Sequence, residues 1–147
     1  MITFDELHTQ NHKITELANV LSYLLEERRM CDNEVTCSLF FEYVERVQEH
    51  LDMEDKHLYS KLLAHKDNNV CSTGQRFLTG ASEIKRVFSA YIKKWCPKQR
   101  DRLNIGDYES FRRETEEMFE IVLRRIQDET EKLFPLVREV TGSEQIA

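Results

Sequence analysis

Residues 40–62 read FFEYVERVQEHLDMEDKHLYSKL, and their spacing decides the fold. Phe40, Tyr43, Val47, Leu51, Leu58 and Leu62 recur at steps of three, four or seven residues, the intervals that gather side chains on one face of a 3.6-residue helix. Charged residues fill most of the positions between them, so the segment is a long amphipathic helix with one stripe to bury. Such a helix is stable only when other helices or a sheet cover that stripe.

Working outward, the chain supplies three more helices. Upstream, Leu7, Ile14, Leu17, Leu21 and Leu24 mark a helix from about Phe4 to Arg29, and Asp32-Asn33 carries the cap chemistry for the helix that contains residues 40–62. Downstream, after the polar exit HKDNN, Ser72 or Thr73 is a cap for a third helix with Phe77, Ile84, Val87, Phe88, Tyr91 and Trp95 on its stripe, and Pro97 ends it. A basic loop, KQRDRLNIG, leads to Asp107 as the cap of a fourth, whose buried face is Phe111, Met118, Val122, Leu133 and Leu136. Four such helices on short loops pack most simply as one all-α, antiparallel, up-down-up-down four-helix bundle, a single domain over residues 1–147.

Composition agrees. Gly (4) and Pro (2) are scarce, 40% of residues are hydrophobic and 33% charged, a balance that suits long helices better than sheets. The net charge of −6 disfavours a nucleic-acid partner, which needs a clustered basic surface. No apolar run reaches the roughly 20 residues of a membrane span, and MITFDELHTQ carries acids where a signal peptide needs a basic and then an apolar region. A cytoplasmic protein without a membrane is therefore expected, and its cysteines, Cys31, Cys37, Cys71 and Cys96, are expected as reduced thiols. Bundle topology brings Cys96 to the end that holds Cys31 and Cys37, so a reversible pair with either is geometrically open.

Advancing about 100° per residue places two pairs of polar side chains on the inward stripes. His50 and Glu54 stand one turn apart on the second helix, and Arg125 and Glu129 repeat that spacing on the fourth. Two buried carboxylates require a metal ion or other cations between them, because an isolated buried charge is very costly.

The stretches EHLDMEDKHLYSKL and RIQDETEKLFPLV carry a resemblance to hemerythrin-like (HHE cation-binding) domains, which repeat a histidine, a metal-bridging acid four residues on, a second acid, and a Leu-aromatic-Pro finish. His50, Glu54, Asp55 and Leu58-Tyr59 match one copy, with Ser60 in place of proline; Glu129 and Leu133-Phe134-Pro135 match the other, with Arg125 in place of histidine. The resemblance implies a bundle in which one iron is held by histidines of helices 1 and 2, a second by histidines of helices 3 and 4, and Glu54 and Glu129 bridge. Here helix 3 has no histidine, and Ala81 and Lys85 fall about where its pair would lie. At most one iron-type site remains, on His50, Glu54, Glu129 and His12. On helix 1 the hydrophobic phase is satisfied from Asn11, so whether Asn11 or His12 faces the site stays open.

The site admits two readings. Either one non-haem iron or other divalent metal is bound by this imidazole and carboxylate set, or Arg125, with Lys85, forms a metal-free charge cluster with Glu54 and Glu129; His57 is a substitute ligand only if two metals bind. His57 and His65 are otherwise exposed, and Tyr59, Tyr91 and Trp95 are packing residues. No nucleophile–histidine arrangement, phosphate loop or HExxH motif is present, so a sensor or binding module is expected and not an enzyme. A second resemblance points to a metal-free protein-binding module: DYESFRRETEEMFEIVLRRIQDETEKLFPLV and LHTQNH are similar to helices of bacterial anti-sigma regulators, in which an arginine also precedes an acid by four residues. That reading implies a regulatory protein partner; the sequence leaves oligomeric state open.

Overall fold

The structure is a computed structural model that describes residues 2–97, 102–142 and 145–146. It is an all-α four-helix bundle. The elements are α1 (Phe4–Leu24), α2 (Glu34–His57), α3 (Tyr59–Leu63), α4 (Asn68–Trp95), α5 (Tyr108–Asp128) and α6 (Phe134–Thr141), with a 3-10 turn at Arg28–Asp32 before α2 and a π turn at Glu129–Leu133 joining α5 to α6. A two-residue antiparallel pairing of Ile2–Thr3 with Gln145–Ile146 lies beside them.

Side-chain oxygens start each long helix by satisfying amides that have no partner within the helix. Thr3 and Glu6 form a reciprocal capping box on α1. Asn33 caps α2 through Val35 N at 2.9 Å, and Asp107 caps α5 through Glu109 N at 3.1 Å, both as expected. α4 differs from expectation: Asp67 caps it through Asn69 N at 2.8 Å, and Ser72 and Thr73 lie inside the helix, where the Thr73 hydroxyl bonds back to Asn69 O at 2.9 Å. The cap sits at the helix entrance that the loop leaves free; a serine or threonine one turn later has that backbone bond available and stays helical. The first helix also stops earlier than its pattern suggests, because the 3-10 turn takes up Arg28 and Arg29.

The core runs the length of the bundle, with Phe4, Leu7, Ile14, Phe40, Tyr43, Leu58, Leu62, Phe111, Leu133 and Phe134 among its buried members. Aromatic rings fill one end. Trp95 meets Phe111 edge-on at 5.3 Å, Tyr43 meets Phe119 at 5.0 Å, and the Tyr91 hydroxyl bonds Thr115. There Tyr108 donates its hydroxyl to Leu25 O at 2.7 Å, closing the start of α5 onto the end of α1. At the other end α3 packs on α4 so closely that a Cβ at Gly74 would come within 2.7 Å of Leu62 Cβ. Only glycine allows that approach.

Two irregularities bracket the polar layer of the bundle. α2 breaks at Leu58, four residues after Glu54, and the π turn begins at Glu129 itself. The extra residue of the π turn advances the buried face by one position, so Leu133 and then Phe134 and Val137 are buried while Leu136 is only half-buried.

The four cysteines are thiols, and the expected option of a Cys96 pair with Cys31 or Cys37 is not realised. Cys31 and Cys37 are buried instead, the Cys37 thiol reaching Cys31 O at 3.3 Å, and burial pushes the Cys31 thiol up to about 11. The basic loop lies partly outside the described residues, at 98–101. Among the described residues no helix is long and apolar enough to cross a membrane.

Candidate metal centre

α2 and α5 point their paired polar residues at one another, and the π turn holds Glu129 inward. All four side chains are buried: His50 is 3% exposed, Arg125 8%, and Glu54 and Glu129 are fully enclosed. The expected convergence of this layer is present.

Each carboxylate divides its oxygens between opposite neighbours. Glu129 Oε1 lies 2.8 Å from His50 Nε2, and Glu129 Oε2 accepts from Arg125 Nε at 2.8 Å. Glu54 repeats the division at longer range, with Oε2 3.6 Å from His50 Nε2 and Oε1 3.5 Å from Arg125 Nη2. Those are ion-pair separations and not good hydrogen bonds, and neither Glu54 oxygen has a donor although both are buried. A buried, unsatisfied carboxylate is among the costliest groups a core can hold.

His50 is oriented by α1. Its Nδ1 lies 2.7 Å from Gln10 Oε1, so in the neutral ring Nδ1 carries the proton and Nε2 presents a bare lone pair to Glu129. Two lone pairs at 2.8 Å repel unless a proton or a cation sits with them.

Arg125 closes the other side. Its Nη2 donates to the Tyr59 hydroxyl at 2.6 Å and its Nη1 to Phe77 O at 2.9 Å, while its guanidinium lies 4.9 Å from the Phe77 ring centre. Helix α4 thus contributes a carbonyl, a ring and a gap, since a Cβ at Gly80 would stand 3.2 Å from Arg125 Nη1.

These contacts set the charges. Burial opposes ionisation of Glu129, but a proton shared with His50 or with Glu54, together with the Arg125 charge, outweighs it and brings the carboxyl down to about 2. Glu54 goes the other way: burial and then the Glu129 charge hold it well above the usual carboxylate range, against a weaker pull from Arg125. Burial disfavours the Arg125 cation, yet Glu54 and Glu129 more than compensate and raise its affinity for the proton. Arg125 therefore balances one of the two carboxylates, and the layer needs one more positive charge, a proton or a further cation, for the other.

The residues fit one metal ion. His50, Glu54 and Glu129 offer donor atoms that all lie within 4.8 Å of one another, and the 2.8 and 3.6 Å separations around His50 Nε2 suit neighbouring ligands on an ion with bonds of about 2.0–2.2 Å. They do not fit a second, because the guanidinium already takes the far oxygen of each carboxylate.

Two expected members are elsewhere. His12 is 71% exposed at its side chain and pairs with Glu16 at 3.0 Å; the phase of α1 turns Asn11 inward instead, 4% exposed, with neither side-chain polar atom hydrogen-bonded. Lys85 leaves the cluster for the surface, where it pairs with Asp52 and Asp55. His57 is half-buried and outside the cluster. Gln10 and Tyr59 were missing from the expected set. Gln10 precedes Ile14 by four residues, a spacing that could have placed it beside the stripe; Tyr59 turns inward because α2 breaks at Leu58, for which the sequence carries no clear signal.

A family model described as Hemerythrin HHE cation binding domain matches residues 3–137. No curated protein and no solved structure matches the chain.

Proposed function

The chain belongs to the hemerythrin HHE cation-binding domain family, and from that premise we propose that it is a single-cation binding module in which His50, Glu54 and Glu129 hold one divalent ion while Arg125 takes the place of the second. The division of carboxylate oxygens carries this reading: one oxygen of each acid faces His50 Nε2 and the other faces the guanidinium. The bridging arrangement persists, with a fixed cation on one side. Iron, manganese and zinc all suit one imidazole and two carboxylates; such an ion would supply a Lewis-acid centre, with redox chemistry if it is iron.

The chain's own residues do the rest. Gln10 keeps the His50 proton on Nδ1 and so frees Nε2 as a donor. Arg125 fixes the charge of Glu129 and limits the cluster to one added cation. Tyr59 and Phe77 O hold the guanidinium in place. Reversible two-iron dioxygen carriage is not part of this proposal, because the second ion's place is filled by an arginine that cannot be deprotonated. Its role is that of a small sensor or binding module in the cytoplasm, and not of an enzyme.

A second reading rests on the same arginine. Arg125 makes four polar contacts in this layer, to Glu129, Glu54, Tyr59 and Phe77 O, which supports a metal-free charge cluster in a regulatory bundle that binds another protein. Measuring metal per chain in untagged protein separates the two. About one ion per chain, lost in His50→Ala, is expected; protein that stays empty after incubation with ferrous, manganous and zinc salts sinks the cation reading in favour of the charge cluster.

A further inference from the structure

A surface cavity of about 340 Å³ opens between α4 and α5 on the outer side of Arg125. Phe77 and Ile84 from α4 and Ile121 from α5 give it an apolar floor, and Ile121 is one of the few large apolar side chains left exposed, at 38%. Gly80 adds no side chain to this floor, so an edge of the Arg125 guanidinium borders the cavity.

The rim is cationic. Arg76, Arg124, Arg125 and Lys132 face the space against Glu83 and Asp128, in a protein whose net charge is −6. Most of these charges are matched. Arg124 is held by Glu120 at 2.7 Å, Lys132 lies 3.9 Å from Asp128, and Glu83 pairs with Arg86. Arg76 makes no ion pair or side-chain hydrogen bond among the described residues. The cavity thus offers one unmatched guanidinium at the mouth above an apolar base.

We propose that this cavity binds a small amphipathic carboxylate, with its carboxylate on Arg76 and its apolar body over Phe77, Ile84 and Ile121. The volume lies in the range of small-molecule sites, which combine apolar walls with a few polar groups that fix orientation. An uncharged apolar ligand would forgo Arg76, and an inorganic anion would leave the apolar floor uncovered. Arg125 gives the site a route inward, because the guanidinium edge that borders the cavity belongs to the group that holds Glu129 on its other side. This inference is independent of whether a metal is bound.

Titrating the full chain with octanoate, and separately with octanol, while following ¹⁵N–¹H NMR spectra tests it. Saturable one-site binding of octanoate is expected, with shifts concentrated in residues 76–84 and 121–132, the Arg125 Nε–H resonance included. Octanol, Arg76→Glu and Ile121→Asp should each weaken the interaction roughly tenfold or more, since each removes one of the two complementary features. Arg76 and Ile121 are exposed, so both variants should keep the wild-type melting temperature, and Arg76→Ala gives the same comparison without charge reversal. No saturable octanoate binding, equal affinity for octanol, or wild-type affinity in the Arg76 and Ile121 variants would overturn the proposal.

Discussion

The aromatic end of the bundle and the charged layer beyond it are held together on opposite principles. Around Phe40, Tyr91, Trp95 and Phe111 the rings sit edge-on or tilted, and the buried Tyr91 hydroxyl has its partner in Thr115. The neutral Tyr43 hydroxyl at the same end is buried without a partner. Around His50, Glu54, Arg125 and Glu129 the polar groups are as well buried, yet no side chain donates to either Glu54 oxygen and His50 Nε2 meets a carboxylate at 2.8 Å. A buried region left incomplete by its own side chains needs something from outside, a proton or an ion, and that need separates a site from a core.

The contrast breaks most sharply at its two centres. Arg125→Met takes from Glu129 the guanidinium bonded to its Oε2 and should cost about 3–5 kcal/mol; Phe111→Ala, by loss of contacts and a residual cavity, should cost a similar ~3–5 kcal/mol. Urea denaturation at several pH values distinguishes them. The Arg125→Met loss should shrink in acid, where protonated carboxylates no longer need the cation, and the Phe111→Ala loss should stay constant. A pH-independent Arg125→Met loss would mean that the residue acts by packing alone.

Removal of the ion should have the next largest effect. Chelation of loaded protein should lower stability by roughly 3 kcal/mol at a free-ion level near a hundred times the dissociation constant, and should leave the Phe111→Ala increment unchanged. An unchanged melting midpoint in protein shown to have carried metal would rule out a structural contribution from the ion.

Acid titration separates the two carboxylates. The folded value of Glu129 is depressed, so its stabilising contribution is complete above the ordinary 4.5 and is lost as pH falls toward about 2. Glu54 has the opposite sign: its folded value is raised, so its contribution is complete below 4.5 and is lost as pH rises through the folded value. Metal-free protein should therefore be most stable on the acid side of neutrality, with the ion removing the loss at higher pH. Thermal melts across pH, with and without chelator, check both limbs. The smallest effect belongs to the aromatic end, where Tyr91→Phe should cost about 1 kcal/mol for one hydrogen bond and leave metal content untouched.

Helical spacing determined the four long helices and the inward direction of His50, Glu54, Arg125 and Glu129, because burial of an apolar stripe repeats every turn and a residue four positions away inherits its direction, and residue chemistry marked the caps Asn33 and Asp107. The resemblance to hemerythrin-like domains, not spacing, implied that the histidines for a second ion are missing, which is a matter of residue identity. The exposure of His12 was half legible: the hydrophobic phase already favoured Asn11. Other features depended on the assembled molecule. Lys85 chose Asp52 and Asp55 over the buried acids because a flexible ammonium finds surface partners without desolvation. Tyr59 entered the site through a helix break, and Leu136 left the core through a π turn, each a local change of phase that periodicity cannot anticipate. Which oxygen of each carboxylate meets His50 and which meets Arg125 was decided only in three dimensions, since it depends on how α1, α2, α4 and α5 press four polar side chains into one buried layer.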